Sequence, residues 1–461
     1  MNLDNIKKVY FIGIGGSSMS SLAQIMQKRD FIVAGSDMQQ SHASDNLIEK
    51  GITVFIGHKE ENIKDFAPEI VIKTDAILPT NPELLYAEES NIPVYRRAEL
   101  LGNLLDGYKK TIGVAGTHGK TTTSSMITSI FLDAQKNPSA IIGGQMKQTG
   151  TSYIIGSEDL CIFESCEYKC SFYNFFPTVS VLLNIAKDHM EFFKTEENLL
   201  ACFTKYLDNT KPDGIVVYNA EDENSLKVIS GYKGKTVSFG LEKGNFIMDK
   251  ATLTGGFPKF DIIKNGAFFC HVDLRVPGRH NVKNALAAAA AADAAGLCAE
   301  DIGKGLSDYA GAGRRFEYHC TINGAVVADD YGHHPDAYRV TFNTARDLGF
   351  KRIIAIHQPH TFSRTKMMMN EFVDVLKTVD KVLIPPIYPA RETNDEYNIY
   401  AEDVVKRLPN AEYMNNFNEI ADRIKELAQP GDLFITLGCG DIYKAAELTA
   451  KKYGEKIDIH Y

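Results

Sequence analysis

A glycine-bounded turn followed by lysine and threonine has the parts needed to grip a chain of phosphates, and Gly116-Thr117-His118-Gly119-Lys120-Thr121-Thr122 has that form. Apolar Thr111-Ile112-Gly113-Val114 precedes it, and Ser124-Ser125-Met126-Ile127 opens what reads as an amphipathic helix. Strand, turn and helix start in that order aim backbone N–H groups and the positive end of a helix at one point, which attracts an anion. Lys120 then reaches terminal phosphates, and the Thr121 hydroxyl can hold magnesium. The spacing Gly-x-x-Gly-Lys-Thr is shorter than the Gly-x-x-x-x-Gly-Lys-[Ser/Thr] of ordinary phosphate loops, which narrows the field.

A second glycine turn, Gly13-Ile14-Gly15-Gly16-Ser17-Ser18, is similar to a dinucleotide fingerprint, although Ser18 stands where the last glycine belongs. Asp37 follows at about the distance at which an acidic residue accepts from a ribose hydroxyl. Two separate phosphate sites point to a reaction between two phosphorylated ligands, or to ATP acting on a nucleotide-linked substrate. Glu164 closes the apolar run Leu160-Cys161-Ile162-Phe163, and His189 follows Val179-Ser180-Val181-Leu182-Leu183 by way of Asn184-Ile185-Ala186-Lys187-Asp188. Open α/β sheets gather ligands at such strand ends, so Glu164 and His189 are candidate metal ligands beside Thr121. A strand-end carboxylate is otherwise a helix cap or a solvated loop residue. Asn281 and Asn284, within Gly278-Arg279-His280-Asn281-Val282-Lys283-Asn284, can read an adenine edge with amide donor and acceptor, or simply cap a helix.

These residues need a scaffold of alternating strands and helices. Three blocks supply it. The first has strands at Val9–Ile12, at Phe31–Ala34 running on to Asp37, at Ile70–Ile72 and at Pro93–Tyr95, with helices at Met19–Gln27 and Asn81–Glu89. The second runs from the phosphate loop through a strand at Gly214–Tyr218 and an antiparallel flap over Phe246–Val276 to an alanine-rich helix ending near Ala295. The third alternates strands at Ala325–Ala328, Ile353–Ile356, Val382–Ile384 and Leu433–Leu437 with helices such as Asn416–Ala428. Such alternation predicts α/β domains with mostly parallel sheets. Polar Asp106-Gly107 and Gly311-Ala312-Gly313 place the boundaries, giving domains 1–107, 108–313 and 314–461.

With 461 residues, 44% of them hydrophobic, the chain has ample material for such cores. A net charge of −9 and the lack of long basic runs argue against general nucleic-acid binding. Met1-Asn2-Leu3-Asp4 leads straight into a strand, and no apolar run is long enough to span a bilayer, so a cytoplasmic protein is expected. Eight scattered cysteines in mostly apolar surroundings fit a reducing compartment with free thiols. Cys161, Cys166 and Cys170 cluster, but without the C-x2-C pairs of structural zinc sites.

Taken together, Gly116–Thr121, Glu164, Asn184 with His189, and Gly278-x-His280-Asn281-x-x-Asn284 resemble the ATP-dependent Mur ligases of peptidoglycan synthesis. Arg314-Arg315-Phe316-Glu317 and Asp329-Asp330-Tyr331-Gly332-His333-His334-Pro335 extend the likeness over the whole chain. Within the family, His118, the opening turn and Gln358-Pro359-His360-Thr361-Phe362-Ser363-Arg364-Thr365 are similar to members acting on UDP-N-acetylmuramate and L-alanine. Members that attach a preformed tripeptide usually carry cysteine where Gly15 stands. The resemblance implies a Rossmann-like N-terminal domain for the UDP-sugar, a central P-loop ATPase-like domain, and a Rossmann-like C-terminal domain for the amino acid. The implied activity is peptidoglycan precursor synthesis: ATP phosphorylates the lactyl carboxylate, the amine of L-alanine attacks the acyl phosphate, and ADP and phosphate leave.

By the same resemblance, Lys120 neutralises the transferring phosphoryl group. Thr121 and Glu164 hold one magnesium and His189 a second. Gly116, Thr117, His118, Gly119 and Thr122 cradle ATP, Asn281 and Asn284 face its adenine, Arg315 its phosphates and Asp329 its ribose. Tyr331 and His333 stand near the reacting centre, and Arg364 takes the alanine carboxylate. Gly15, Gly16, Ser17, Ser18, Asp37, His58 and Arg97 are expected to hold the uridine diphosphate. The implied assembly is a monomer or homodimer.

Three stretches depart from the family pattern. Glu164-Ser165-Cys166-Glu167-Tyr168-Lys169 stands where many members have Glu-Ala-Asp-Glu-Ser-Asp, leaving Glu167 without a clear role. Thr361 replaces an arginine found in some relatives, and Lys73-Thr74-Asp75-Ala76 replaces a serine pair. A dinucleotide-dependent oxidoreductase would leave Gly-x-x-Gly-Lys-Thr unexplained. A noncatalytic nucleotide-binding regulator would have no need of Lys120, Glu164 and His189 together.

Overall fold

The computed structural model describes residues 1, 3–390 and 392–455. Its contacts define two compact units. One comprises Met1–Ile247, Ile263–Cys270 and Asn284–Leu306; the other comprises Met248–Ile262, His271–Lys283 and the chain from Ser307 onward. Among the described residues the strands form three sheets.

The first sheet contains β1 (Lys8–Ile12), β2 (Ile32–Asp37), β3 (Thr53–Ile56), β4 (Ile70–Lys73) and β5 (Val94–Arg96), in the order β3-β2-β1-β4-β5. All four pairings are parallel. Parallel neighbours need crossovers, which the helices Ser17–Lys28, His42–Glu49, Glu60–Phe66 and Pro82–Glu89 provide. Val9, Tyr10, Phe11 and Ile12 are all fully buried, as expected of a strand covered on both faces. The edge strand β3 has no fully buried residue, so it lacks the apolar run that marks the others in the sequence.

The central sheet contains β6 (Lys110–Ala115), β7 (Ser139–Ile141), β8 (Tyr153–Ile154), β9 (Leu160–Glu164), β10 (Val179–Leu182), β11 (Ile215–Asn219), β12 (Lys235–Phe239), β13 (Phe246–Thr254), β14 (Phe257–Lys264) and β15 (Ala267–Asp273). In the sheet order, β6 lies between β10 and β9, and both pairings are parallel. The chain therefore leaves β6 toward one side of the sheet and returns on the other. Such a switch point opens a crevice at the carboxyl ends of the strands. The flap expected over 246–276 is β13 to β15, consecutive neighbours in the sheet order.

The third sheet contains β16 (Glu317–Ile322), β17 (Ala325–Asp330), β18 (Arg352–His357), β19 (Lys381–Ile384), β20 (Ala411–Tyr413) and β21 (Asp432–Leu437), ordered β16-β17-β21-β18-β19-β20. Only the hairpin pair β16–β17 is antiparallel; β17, β21, β18, β19 and β20 run parallel. The carboxyl ends of β17, β21 and β18 thus share one edge. The α/β class expected from the sequence holds throughout.

One element differs from its sequence reading. Helix Lys120–Asp133 is not amphipathic: Thr123, Ser124, Ser125, Met126, Ile127, Thr128, Ser129 and Ile130 are all fully buried. Three of its hydroxyls are accommodated by bonding within the helix, while Thr123 and Ser129 donate to Asn284 and the Gly305 carbonyl. Ser124 and Ser125 donate to the Thr121 carbonyl, and Thr128 donates to that of Ser124. Back-bonding of this kind lets a polar sequence occupy a buried helix without stranded donors. Another close seat is Gly102, in helix Arg97–Leu105: a Cβ there would stand 2.3 Å from the Asn174 carbonyl oxygen. Glycine is what lets this helix press against the segment Tyr168–Asn174.

In the third sheet His357 is 1% exposed, and its Nδ1 shares a 2.7 Å hydrogen bond with the Tyr338 hydroxyl. Burial pushes this imidazole down from 6.5 to about 3. Between those values the unfolded chain binds a proton that the folded chain does not, so acid favours unfolding. The stabilisation is complete above pH 6.5 and is lost as pH falls towards about 3. The loss amounts to about 2 kcal/mol by about pH 5. Urea titrations at neutral and mildly acid pH are expected to show a smaller loss of stability in His357→Gln than in the wild type. Equal losses would show that another group sets the acid limit.

Candidate functional site

The opening turn follows β1 at the switch point between β1 and β4. Asp37, at the end of β2, accepts the Gly15 N–H at 2.9 Å, so this carboxylate shapes the turn itself. Gly16 is the N-cap of helix Ser17–Lys28. Arg97 donates to the Ser18 hydroxyl at 3.0 Å, bringing two expected substrate residues together at that helix start. The Ser17 side chain lies outside the described residues. His58 behaves differently from its expected role. Its Nδ1 faces Ser36 and Glu83, both at 2.9 Å, and its side chain is only 7% exposed. The hub of that network is Glu83, fully buried, which also accepts from Tyr10 at 2.9 Å and Asn62 at 2.7 Å. Burial pushes the Glu83 carboxyl up, but the four donors outweigh it and hold it below the usual carboxylate range.

The phosphate loop leaves β6 and is pinned from β10. The Asn184 carbonyl accepts the Thr117 N–H at 3.0 Å. Its side chain accepts the His118 N–H at 2.9 Å and donates to the His118 carbonyl at 3.0 Å. Thr117 Oγ1 exchanges bonds with Ala186 N and O at 2.9 and 3.2 Å. The turn is therefore rigid before any ligand arrives. Gly119 caps the helix with φ +88°, and a Cβ there would meet Asn284 Oδ1 at 2.7 Å, so two constraints demand glycine. Asn284 thus stands behind the loop, where its Oδ1 also accepts from Thr123 at 3.4 Å. Past the cap, Lys120, Thr121 and Thr122 form the first turn, whose N–H groups have no acceptor within the helix. That is the anion seat expected from the sequence.

Lys120 is paired to Glu167. Its Nζ lies 2.9 and 3.0 Å from the two carboxylate oxygens and also donates to the Gly116 carbonyl. The side chains are 17% and 4% exposed, so the pair is largely desolvated. Burial pulls the Lys120 pKa down, yet Glu167, with Cys166 and Glu164 adding to it, holds the ammonium above the usual lysine value. Lys120 is therefore charged and ready for an anion.

Glu164, at the end of β9, accepts the Gly143 N–H at 2.6 Å and the Ser124 hydroxyl at 3.4 Å. Because Ser124 also donates to the Thr121 carbonyl at 3.1 Å, one hydroxyl ties Glu164 to the turn that carries Thr121. A hydroxyl and a carboxylate are the hard oxygen donors that magnesium takes, so Thr121 and Glu164 fit such an ion. His189 caps the short helix Met190–Phe193 in a left-handed conformation, φ 54°. Its ring lies 4.8 Å from that of Tyr168, the neighbour of Glu167, and its Nε2 lies 3.8 Å from Asp188.

In the other unit, residues gather along the edge formed by the ends of β17, β21 and β18. Asp329, expected to face a ribose, is fully buried instead; Arg314 donates to it at 2.8 Å, as does Thr436. Arg314 also donates to the carbonyls of Gly438 and Gly440, at 2.6 and 3.2 Å, and so ties β17 to the loop after β21. The Tyr331 ring lies between Arg314 and Arg315, at 4.9 and 5.0 Å, and meets the His333 ring edge-on. His333 is followed by His360, at 6.3 Å between rings, and His360 stacks on Tyr388. Asn281 is 7% exposed and donates to the Pro277 carbonyl at 2.7 Å, a local bond at its helix start. Arg364 lies in helix Phe362–Met367, capped by Thr361, whose Oγ1 accepts the Arg364 N–H at 3.3 Å. Thr361 adopts φ +64°, a conformation costly for a β-branched residue and typical of functional sites.

Three family models match the chain in order: the Mur ligase family catalytic domain over 8–109, the Mur ligase middle domain over 114–292, and the Mur ligase glutamate ligase domain over 314–440. The chain belongs to the Mur ligase family. It is 42% identical over 453 residues to a UDP-N-acetylmuramate–L-alanine ligase of Caldicellulosiruptor saccharolyticus, covering 97% of this chain and 99% of the relative. A solved UDP-N-acetylmuramate-alanine ligase of Thermotoga maritima has a TM-score of 0.83 at 29% identity, covering 96% of this chain and 98% of the other. A MurF ligase of the same organism, solved in complex with ADP, has a TM-score of 0.62 at 17% identity, covering 91% and 94%, and is similar in fold alone.

Three participants in this Mur ligase were not marked by the sequence reading. Glu167 sat in a departing stretch, and nothing local pairs it with Lys120. Arg314 is adjacent to the residue that was chosen, Arg315. Glu83 carries one signal: directly after Pro82, in the first turn of a helix capped by Asn81, it is a carboxylate placed where a helix dipole welcomes one.

Since Glu167 occupies the Lys120 ammonium, an anion seated there would have to displace it, and Glu167→Gln is expected to tighten ATP binding by about 5- to 10-fold, measured by calorimetry. Unchanged or weaker binding would show that Glu167 assists the nucleotide rather than competing with it.

Proposed function

We propose that this Mur ligase forms the amide bond between the lactyl carboxylate of UDP-N-acetylmuramate and L-alanine, in peptidoglycan precursor synthesis. ATP phosphorylates the carboxylate, the amine attacks the resulting acyl phosphate, and ADP and phosphate are released. The observation that carries this reading is the rigid phosphate loop with Lys120, Thr121 and Glu164 at one switch point. The names of the relatives at about 40% identity along nearly the whole chain support the substrate pair. A carboxylate is a poor electrophile, and a mixed anhydride makes it reactive. Charge on the phosphoryl group in flight must be neutralised.

In this reading Lys120 exchanges Glu167 for the terminal phosphate, while the N–H groups of the first helical turn hold the others. Magnesium on Thr121 and Glu164, with a second ion at His189, would draw charge from the transferring group. The opening turn, with Ser18 and Arg97, takes the uridine diphosphate. Asn281 and Asn284 are assigned to adenine and Arg315 to phosphate. Asp329 acts on the ribose side by holding Arg314 and the β17 edge in place. Tyr331 and His333 belong to the reacting centre, and Arg364 is the planar cation for the alanine carboxylate. Domain limits at 107/108 and 313/314 separate these tasks. Among the described residues no helix is long and apolar enough to cross a membrane; a cytoplasmic monomer or homodimer is proposed.

Purified protein is expected to release phosphate from ATP only when both UDP-N-acetylmuramate and L-alanine are present, with the amide product identified by mass. Release with any amino acid, or with none, would overturn the assignment. Lys120→Ala is expected to lower turnover by about 1,000-fold or more, with folding checked by circular dichroism. Arg364→Ala should chiefly raise the KM for L-alanine, and an unchanged KM would remove Arg364 from that role.

A further inference from the structure

Cys170 and Cys202 are far apart in sequence, yet their sulfurs stand 2.8 Å apart. That is well inside the about 3.5–4.0 Å at which non-bonded heavy atoms settle, and outside a covalent bond of about 2.05 Å. Both are free thiols. Cys202 lies in helix Glu196–Asp208 and is 2% exposed, whereas Cys170 is half-buried.

Cys170 sits in the segment that serves the phosphate site. Glu167, the partner of Lys120, precedes it; Tyr168 lies against His189; and Lys169 donates to the Asp75 carbonyl at 3.1 Å. Lys169 and Cys170 both hold left-handed conformations, φ 49° and 52°, which non-glycine residues adopt at a cost. A bond at Cys170 would therefore act on a strained segment that carries the lysine's counterion.

We propose that Cys170 and Cys202 form a reversible disulfide that switches the ligase off by fixing the segment Tyr168–Asn174 to helix Glu196–Asp208. The oxidant is a low-molecular-weight disulfide. The half-buried Cys170 thiol loses its proton and attacks one sulfur of R–S–S–R, giving Cys170–S–S–R and releasing RS⁻, which takes up a proton. Cys202 then loses its proton and attacks the Cys170 sulfur, expelling the second RS⁻, which is protonated in turn. Two protein thiols are oxidised by two electrons, and one external disulfide is reduced to two thiols. Burial raises the Cys202 thiol, so the first attack falls to Cys170. The second step is intramolecular between sulfurs already in contact.

The switch rests on the ligase reading for its activity readout, but bond formation is read independently. The full-length protein is incubated with glutathione disulfide, alkylated and digested, and its peptides are mapped by mass. Exposed Cys298 serves as an internal control for oxidant action. Expected are a cross-linked peptide joining Cys170 to Cys202, a fall in turnover of ~10-fold or more, and recovery of both by dithiothreitol. Cys170→Ser, and independently Cys202→Ser, should give no cross-link and keep their activity under the same treatment. If Cys298 carries glutathione while Cys170 and Cys202 remain unlinked, the proposal is wrong. It is equally overturned if the cross-link forms without loss of turnover, or if Cys170→Ser is inactivated like the wild type. A protein that cross-links but never ligates would instead count against the function assigned above.

Discussion

A lysine ammonium removed from water needs a negative partner, and the phosphate loop of this ligase is arranged around that need. With an unscreened charge at 17% exposure, the Lys120 side chain could not stay both buried and protonated. Glu167 supplies the missing charge from the segment beyond β9, and the helix N-terminus beside it supplies positive potential. Lys120 and Glu167 thus neutralise one another as an internal ion pair. The loop that carries this lysine is held in place as well. Asn184, bonded to the backbone of both Thr117 and His118, fixes it.

Topology explains why so few residues suffice. Each sheet places its chemistry at the carboxyl ends of parallel strands where the strand order turns back. In the central sheet, β6 brings the loop, β9 brings Glu164 and Glu167, and β10 brings Asn184 and, a few residues on, His189. In the third sheet, the ends of β17, β21 and β18 are drawn together by Arg314, whose guanidinium bonds Asp329 and two glycine carbonyls. One planar cation with several donors can satisfy three acceptors at once, something a lysine at the same place could not do with comparable geometry.

What was legible in the sequence was mostly local. The phosphate loop, the strand runs before Glu164 and Asn184, and the alternating blocks all depend on residues within a few positions of one another, so their pattern survives in one dimension. Pairings across long separations do not. Lys120 and Glu167 are brought together only by the adjacency of β6 and β9, and the Glu83 network needs β1, β2 and two helices in place before its four donors converge. Helix Lys120–Asp133 misleads for a related reason: its serines and threonines read as a wet face, but are buried, some bonding back into their own helix and others to Asn284 and Gly305. Edge strands such as β3 leave little trace because they bury little.

Two carboxylates, three positions apart after the same strand, illustrate how environment divides labour. Glu164 accepts from neutral donors only, a backbone N–H and a serine hydroxyl, neither of which cancels its charge. Glu167 meets an ammonium head-on and is compensated outright. The two carboxylates therefore differ in how far their charge is cancelled: Glu167 is paired directly with the Lys120 ammonium, whereas Glu164 acts on it only at longer range. Were Lys120 drawn away, Glu167 would be left buried without its partner, a costly state for a desolvated charge. The segment Tyr168–Asn174, already strained at Lys169 and Cys170, is where that cost can be relieved. Anything that fixes that segment, covalently or by packing against Gly102, acts on the charge balance of the site rather than merely on its shape.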